Sequence, residues 1–206
     1  MKTKILTLLL FCASVVTVAQ DRYQGANPNR ISVGINIIDD TFTKTHKLAD
    51  ATAQWNAALY PSKFSYERWI STNFSLEATI SMNKYKKGKL IDGWINQRDL
   101  SYFAFDVNAK FDLNNIIDKI IDIEYNFDPY LIGGFGLTDV GNLETYITTN
   151  YGFGTNLWFG SECFGCRNST FTDNLGIFVQ VQGKSSFVQK KFGNEIQYSA
   201  GLIYRF

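Results

Sequence analysis

Charged side chains recur at alternate positions inside apolar stretches of the 206-residue sequence, and their types limit the chemistry that they could do. Because alternate side chains of a β-strand point to opposite faces, each charge would lie across the strand from apolar neighbours. The set comprises Glu67, Glu77, Asp106, Lys110, Asp112, Lys184 and Arg205. Acids and bases on one face can pair as a salt-bridged plug or line a narrow, gated ion path. No spacing selects a carboxylate pair for acid–base catalysis, so we predict no catalytic residue.

A Cys-x-x-Cys motif, Cys163 and Cys166, lies in a polar stretch at 160–174. A redox motif usually opens a helix after a strand, which this Gly-, Ser- and Asn-containing stretch does not resemble. A zinc site needs two further ligands, and the single histidine, His46, is distant in the sequence. An oxidising compartment favours a disulfide that closes the loop. We therefore favour a disulfide over redox chemistry or a zinc site, and we predict no metal ligands and no cofactor.

Alternation of apolar and polar residues predicts the elements that carry these side chains. The predicted strands cover residues 30–40, 64–70, 74–85, 101–113, 128–140, 145–159, 175–184 and 195–206. Glycines leave the facing of strand 128–140 open, and Ile203 breaks the alternation of the last strand. Alanines favour one or two helical turns within 48–59, and 114–127 is interpreted as a turn with a short helix.

The last strand is long enough to cross a bilayer, which takes about 9–11 tilted residues. Aromatic residues make up 16% of the chain and charged residues 19%, below the roughly 25% of soluble domains. A closed barrel in lipid would turn its apolar rows outward and leave no strand edge exposed. We therefore predict an all-β, eight-stranded, antiparallel, up-and-down transmembrane β-barrel. The net charge of +1 gives no reason to expect nucleic-acid binding.

Residues 1–20 are typical of a cleaved signal peptide. Lys2 and Lys4 precede a mostly apolar run, and Thr17 and Ala19 supply small residues near the expected cleavage site. The run is shorter than the about 20 residues of a spanning helix. Residues 21–206 would then form one barrel domain in the outer membrane.

The stretch LYPSKFSYERWISTNFSLEATISMNKY, with the terminal Tyr204-Arg205-Phe206, resembles the barrel of outer membrane protein A-like proteins from Bacteroidetes. The resemblance implies that Tyr204 and Phe206 form the signal read by the barrel-assembly machinery. The sequence departs from the family pattern in two ways. We expect no peptidoglycan-binding domain, and the connections after Leu113 and Phe159 are long for periplasmic turns.

We therefore expect a monomeric outer-membrane protein, not an enzyme, whose external loops 41–62, 86–99 and 185–194 carry a structural or interaction role. Membrane lipid would be its partner, with lipopolysaccharide a candidate for the basic residues Lys84, Lys86, Lys87 and Lys89; an extracellular ligand is not identifiable. The alternatives are a narrow ion-conducting pore, a lipid-modifying barrel enzyme using His46, and a soluble lipocalin-like binder.

Overall fold

The computed structural model describes residues 29–39, 55–58, 60–71, 73–91, 94–117, 126–141, 144–160, 171–187 and 194–206. Eight long strands form its main sheet, as predicted. They are β1 (Asn29–Asp39), β2 (Lys63–Ser71), β3 (Phe74–Tyr85), β4 (Leu100–Asp112), β5 (Phe127–Val140), β6 (Glu144–Trp158), β7 (Leu175–Ser186) and β8 (Asn194–Arg205).

Each long strand pairs antiparallel with the next one in the sequence, and β8 pairs with β1, which closes the sheet into an up-and-down barrel. Followed once around the barrel, the register of paired residues returns to β1 ten residues further along, from Asn29 to Asp39. Such a stagger tilts the strands, and eight tilted strands leave an interior that side chains can fill. We call the end where β1 begins proximal and the end where it finishes distal.

A two-residue strand, Asn56–Ala57, pairs with the distal half of β1. The helical turns predicted within 48–59 are therefore wrong for this part of the segment. The pairing of β1 with β2 covers only Asn29 to Gly34, so the edge of β1 beyond Gly34 needs another partner. Alanine propensity is weak enough for that requirement to override it. The Asn83 amide fastens the segment by donating to the carbonyls of Asn36 and Asn56.

The remaining described elements are short. Leu90–Ile91 pairs with Trp94–Ile95 in the β3–β4 connection, and a one-turn helix, Asn114–Ile117, begins where a short helix is predicted. A 3-10 turn, Phe171–Asn174, precedes β7. No helix in the described part of the chain is both long enough and apolar enough to cross a membrane. The predicted signal peptide at 1–20 lies outside the described residues.

The two faces of the barrel wall differ sharply in polarity. Outward side chains are mostly apolar and exposed, among them Ile31, Ile35, Phe64, Phe105, Val107, Phe135, Phe153 and Leu202. Strand β5, whose facing the sequence leaves open, turns Leu131, Phe135 and Leu137 outward and buries Tyr130 and Ile132. The interior instead receives most of the charged and amide side chains. Polar residues inside and apolar residues outside are the reverse of a soluble barrel.

Two glycines face each other where the barrel closes. Gly34 of β1 pairs with Gly201 of β8, and the ring of Phe178 packs against both. A Cβ atom on Gly201 would lie 2.2 Å from the Val33 carbonyl oxygen and 2.8 Å from the Phe178 ring. The buried Phe178 therefore requires glycine at this point, and Ile203, the apolar misfit in β8, joins it in a small interior cluster with Trp158.

We expect Gly201→Val to destabilise the barrel by about 1–3 kcal/mol, because the added side chain overpacks the closing seam. Urea unfolding in detergent micelles, followed by tryptophan fluorescence, measures the effect. Gly133→Val is the matched control, since Gly133 is a strand glycine with nothing within 4 Å of an added Cβ. Equal unfolding free energies for the two variants would contradict the close-packed seam.

Candidate functional site in the barrel interior

The seven charged residues singled out from the sequence all point into the barrel, and none is more than 9% exposed: Glu67, Glu77, Asp106, Lys110, Asp112, Lys184 and Arg205. Strand alternation explains this placement, because each residue lies opposite an outward apolar row. Burial of a charge is costly unless it is paired and hydrogen-bonded. The contacts of each residue therefore determine what the interior can do.

A cluster of five residues, the Glu67 cluster, occupies the proximal half of the interior: Arg30, Glu67, Glu77, Lys110 and Asp128. The Lys110 ammonium contacts Glu67 Oε2 at 2.8 Å and Glu77 Oε1 at 2.9 Å. The Arg30 guanidinium bridges Glu67 Oε1 at 3.5 Å and Asp128 Oδ2 at 3.3 Å. Each cation thus serves two carboxylates, which ties four strands and the start of β5 together electrostatically.

Aromatic rings also contact the arginine side chains of the interior. The guanidinium carbon of Arg30 lies 4.7 Å from the ring centre of Trp69 and 5.1 Å from that of Trp158. Arg205 lies 4.3 Å from the ring centre of Trp158, and its guanidinium donates to the Asp173 carbonyl oxygen at 2.8 Å. Stacking on an aromatic face stabilises a desolvated cation by about 2 kcal/mol. Arg205 therefore contacts a ring and the turn before β7.

Asp112 has a different role from the other acids. Its Oδ1 accepts a hydrogen bond from the Asn114 backbone N–H at 2.8 Å, at the start of the helix Asn114–Ile117. A carboxylate that accepts an early N–H satisfies a donor with no partner within the helix. The side chain of Asn114 in turn donates to Asp128 Oδ1 at 2.9 Å, which connects this turn to the Glu67 cluster.

A second cluster, the Glu195 cluster, lies in the distal half: Tyr85, Tyr102, Asp106, Lys184, Glu195 and Gln197. Glu195 accepts hydrogen bonds from the hydroxyls of Tyr85 and Tyr102 and from the Gln197 amide. The Lys184 ammonium contacts Asp106 at 2.8 Å and Glu195 at 4.0 Å. Both tyrosines also pack against apolar side chains towards the distal end: Ile38, Ile91, Leu100, Ala104, Val140 and Tyr146.

Small residues in β5 make room for these side chains. A Cβ on Gly134 would lie 2.5 Å from the Asn108 side-chain oxygen, and one on Gly136 would lie 1.9 Å from Asp106 Oδ1. The Asn150 amide donates to both Asp106 and Asn108 at 3.0 Å. Gly134 and Gly136 therefore provide packing space for buried polar groups.

Sequence reasoning missed several members of the interior. Arg30 follows a polar stretch at the start of β1, and Asp128 precedes a proline. Both residues therefore look like strand ends rather than interior positions. Glu195 lies on the polar face of the last strand, which is a signal that could have included it. Lys63 is 2% exposed, and its ammonium lies 5.2 Å from the ring centre of Phe178.

Other predicted sites fall outside the described residues. These are Cys163, Cys166 and His46. Among the residues that are described, no group of His, Cys, Asp and Glu side chains is arranged to hold a metal ion. The disulfide therefore stays a prediction.

Comparison with known proteins identifies the fold. No family model matches the sequence, and a search of the curated proteins finds no match. The N-terminal β-barrel domain of Pseudomonas aeruginosa OprF matches with 12% identity and a TM-score of 0.52, over 89% of this chain and 100% of that one. Neisserial surface protein A (NspA) matches with 12% identity and a TM-score of 0.51, over 86% and 96%. The likeness is one of fold: the chain is a closed, eight-stranded antiparallel β-barrel.

We expect Lys110→Met to destabilise the barrel by about 3–5 kcal/mol, because it leaves two buried carboxylates without their shared cation. Urea unfolding in detergent measures the loss. Lys86→Met is the control, since that side chain is exposed in the β3–β4 connection. Neutralising Glu67 and Glu77 to glutamine in the Lys110→Met background should recover part of the stability. A Lys110→Met variant as stable as the control would contradict the role of the ion pairs.

Proposed function

We propose that the chain is an integral outer-membrane barrel whose interior is plugged by salt-bridged side chains and whose distal loops carry a structural or interaction role. The observation that carries the proposal is the reversed polarity of the wall. Phe105 and Phe135 are 43% and 60% exposed, whereas Asp106, the neighbour of Phe105 in the same strand, is 1% exposed. Exposed apolar side chains are unfavourable in water, whereas contact with the hydrocarbon of a membrane makes such a surface favourable.

The plugged interior is supported by the two charge clusters and the apolar side chains beyond them. Ile38, Tyr85, Ala104 and Val140 are fully buried at the distal end. At the proximal end, the cavity beside Arg30 and Trp69 measures only about 10 Å³, the room of about one water molecule. An interior filled in this way supports a structural rather than an ion-conducting role.

The proposal assigns partners to two surfaces. Lys84, Lys86 and Lys87 are exposed at the distal end of β3, where the phosphates of lipopolysaccharide would meet positive charge. At the proximal end, the outward ring of Tyr204 stacks between Phe171 and Phe206, at 5.1 and 6.4 Å between ring centres. We propose this pair, Tyr204 and Phe206, as the segment that the barrel-assembly machinery recognises. The same proposal takes the protein as a monomer without enzymatic activity.

Membrane placement is tested by fractionating cells that express the full chain. We expect the protein in the outer-membrane fraction, resistant to carbonate extraction, with gel mobility that changes on heating because the closed barrel resists unfolding by detergent. A soluble periplasmic marker and a known outer-membrane barrel serve as controls. Recovery with the periplasmic marker would support a soluble binder instead and overturn the proposal.

A narrow ion path is the second candidate, and one observation favours it. Several buried polar atoms of the interior have no hydrogen-bond partner among the described residues: Thr79 Oγ1, Ser81 Oγ, Asn108 Nδ2, Thr138 Oγ1 and Gln182 Nε2. They come from four strands, β3, β4, β5 and β7. Unpartnered buried polar groups usually bind water, and a file of water would support ion movement.

Planar-bilayer recordings distinguish the plug from the path. For the plug, we expect no discrete current steps from the wild type, and occasional steps only when Lys110→Met opens the Glu67 cluster. Steps in the wild type that vanish on neutralising Lys110 or Asp106 would favour the ion path instead. The Lys86→Met variant controls for a general effect of removing a lysine.

A further inference from the structure

The outer wall of the barrel carries an apolar groove of about 600 Å³ near the proximal end. It extends from β7 to β4 across β8, β1, β2 and β3, and its lining includes Leu202, Ile31, Val33, Phe64, Tyr66 and Ala78. A volume of this size lies within the range of about 300–1,000 Å³ seen in ligand pockets. The groove is therefore large enough to hold part of a small molecule.

Side-chain size explains why the wall is hollow here. Ala78 pairs directly with Tyr66 on one side and Val107 on the other, so a methyl group stands between two larger outward side chains. Tyr66 leans towards β1, where its hydroxyl donates to Asn29 Oδ1 at 2.8 Å. The groove lies between the small side chain of Ala78 and the ring of Tyr66, and the neighbouring strands do not fill it.

A single cation lies beside this groove. Arg68 follows Tyr66 on the outward face of β2, and it is the one charged outward side chain in the proximal half of the eight described strands. It forms no ion pair and no side-chain hydrogen bond with any residue that the structure describes. An arginine on a lipid-facing surface is costly, and an anionic headgroup at the membrane interface would supply a partner for it.

We propose that the groove and Arg68 form a binding site for one anionic glycerophospholipid. The guanidinium would hold the phosphate through paired N–H donors, and the groove would receive one acyl chain. Tyr66 lies between the two parts, so its ring would contact the glycerol region. The inference rests on the membrane placement proposed above and adds a ligand to the outer wall.

The charge pattern favours this occupant over two others. Lipopolysaccharide carries several phosphates on many acyl chains and suits a cluster of cations, such as the lysines at the distal end of β3. A second copy of the chain on this patch, related by a two-fold axis, would bring its own Arg68 to the same interface, where like charges repel. The single guanidinium of Arg68 matches the one phosphate of a glycerophospholipid, and the groove matches one of its acyl chains.

Native mass spectrometry of the full-length barrel in detergent, equilibrated with phosphatidylglycerol or phosphatidylcholine, tests the proposal. We expect one retained phosphatidylglycerol, bound roughly tenfold more tightly than phosphatidylcholine, because its headgroup carries a net negative charge and that of phosphatidylcholine does not. Arg68→Gln should abolish the preference, and Arg68→Lys should keep a smaller one because lysine lacks the paired donors.

The groove is tested separately by Ala78→Phe, which fills it. This variant should lower phosphatidylglycerol retention, whereas Ala109→Phe, the same change at an outward alanine outside the groove, should not. Heat-modifiable gel mobility confirms that each variant folds, and a wild type that fails to insert into membranes counts against the proposed function rather than this site. The proposal would be overturned if a folded wild type bound the two lipids equally or if Arg68→Gln kept the preference. Tighter retention of lipid A, or a dimer that Ala78→Phe disrupts, would also overturn it.

Discussion

Ten residue pairs join β1 to β8, from Arg30 with Arg205 to Asp39 with Ile196, and every other feature of the molecule depends on this contact. In hydrocarbon, an unpaired backbone N–H or C=O costs several kilocalories per mole, so a spanning sheet must close on itself. Closure brings together backbone that is far apart in sequence. It also requires side chains at the seam to be small, which explains why Gly34 and Gly201 face each other beneath Phe178.

The stagger of the closed sheet then determines how charges are arranged inside. An eight-stranded barrel is too narrow to hydrate each buried ion, so acids and bases must share partners. Lys110 serves two carboxylates and Arg30 serves two more, while the tyrosine hydroxyls and an amide satisfy Glu195. Replacing such networks with apolar side chains can preserve stability, so their value lies in fixing one register of the strands. A slip by one residue would turn these charges to the outer face of the wall.

Alternation in the sequence predicts the eight strands and places seven charged residues on one face of them, because both depend on local geometry. It does not identify every charged residue that lies inside the barrel. The pairing of those charges could not be predicted, since it depends on closure and register. Arg30 and Asp128 are separated by 98 residues, and neither lies within a clean alternating run. The segment around Asn56 shows the opposite failure: alanine-rich sequence favoured helix, but the open edge of β1 required a strand. Local preference was overruled by a hydrogen-bonding demand that arises only in the assembled barrel.

The two charge clusters and the apolar side chains at the distal end leave little room for a substrate in the described interior. Recognition is therefore expected on outer surfaces that strand geometry leaves variable. Two such surfaces exist. The connections at the distal end can vary without disturbing the ladder, since loops tolerate change far better than paired strands do. The outer wall can vary in side-chain size at constant polarity, and a small residue between two larger ones, as at Ala78, changes its shape. In the lipid site proposed above, that shape would receive an acyl chain, and Arg68 would distinguish one headgroup from another.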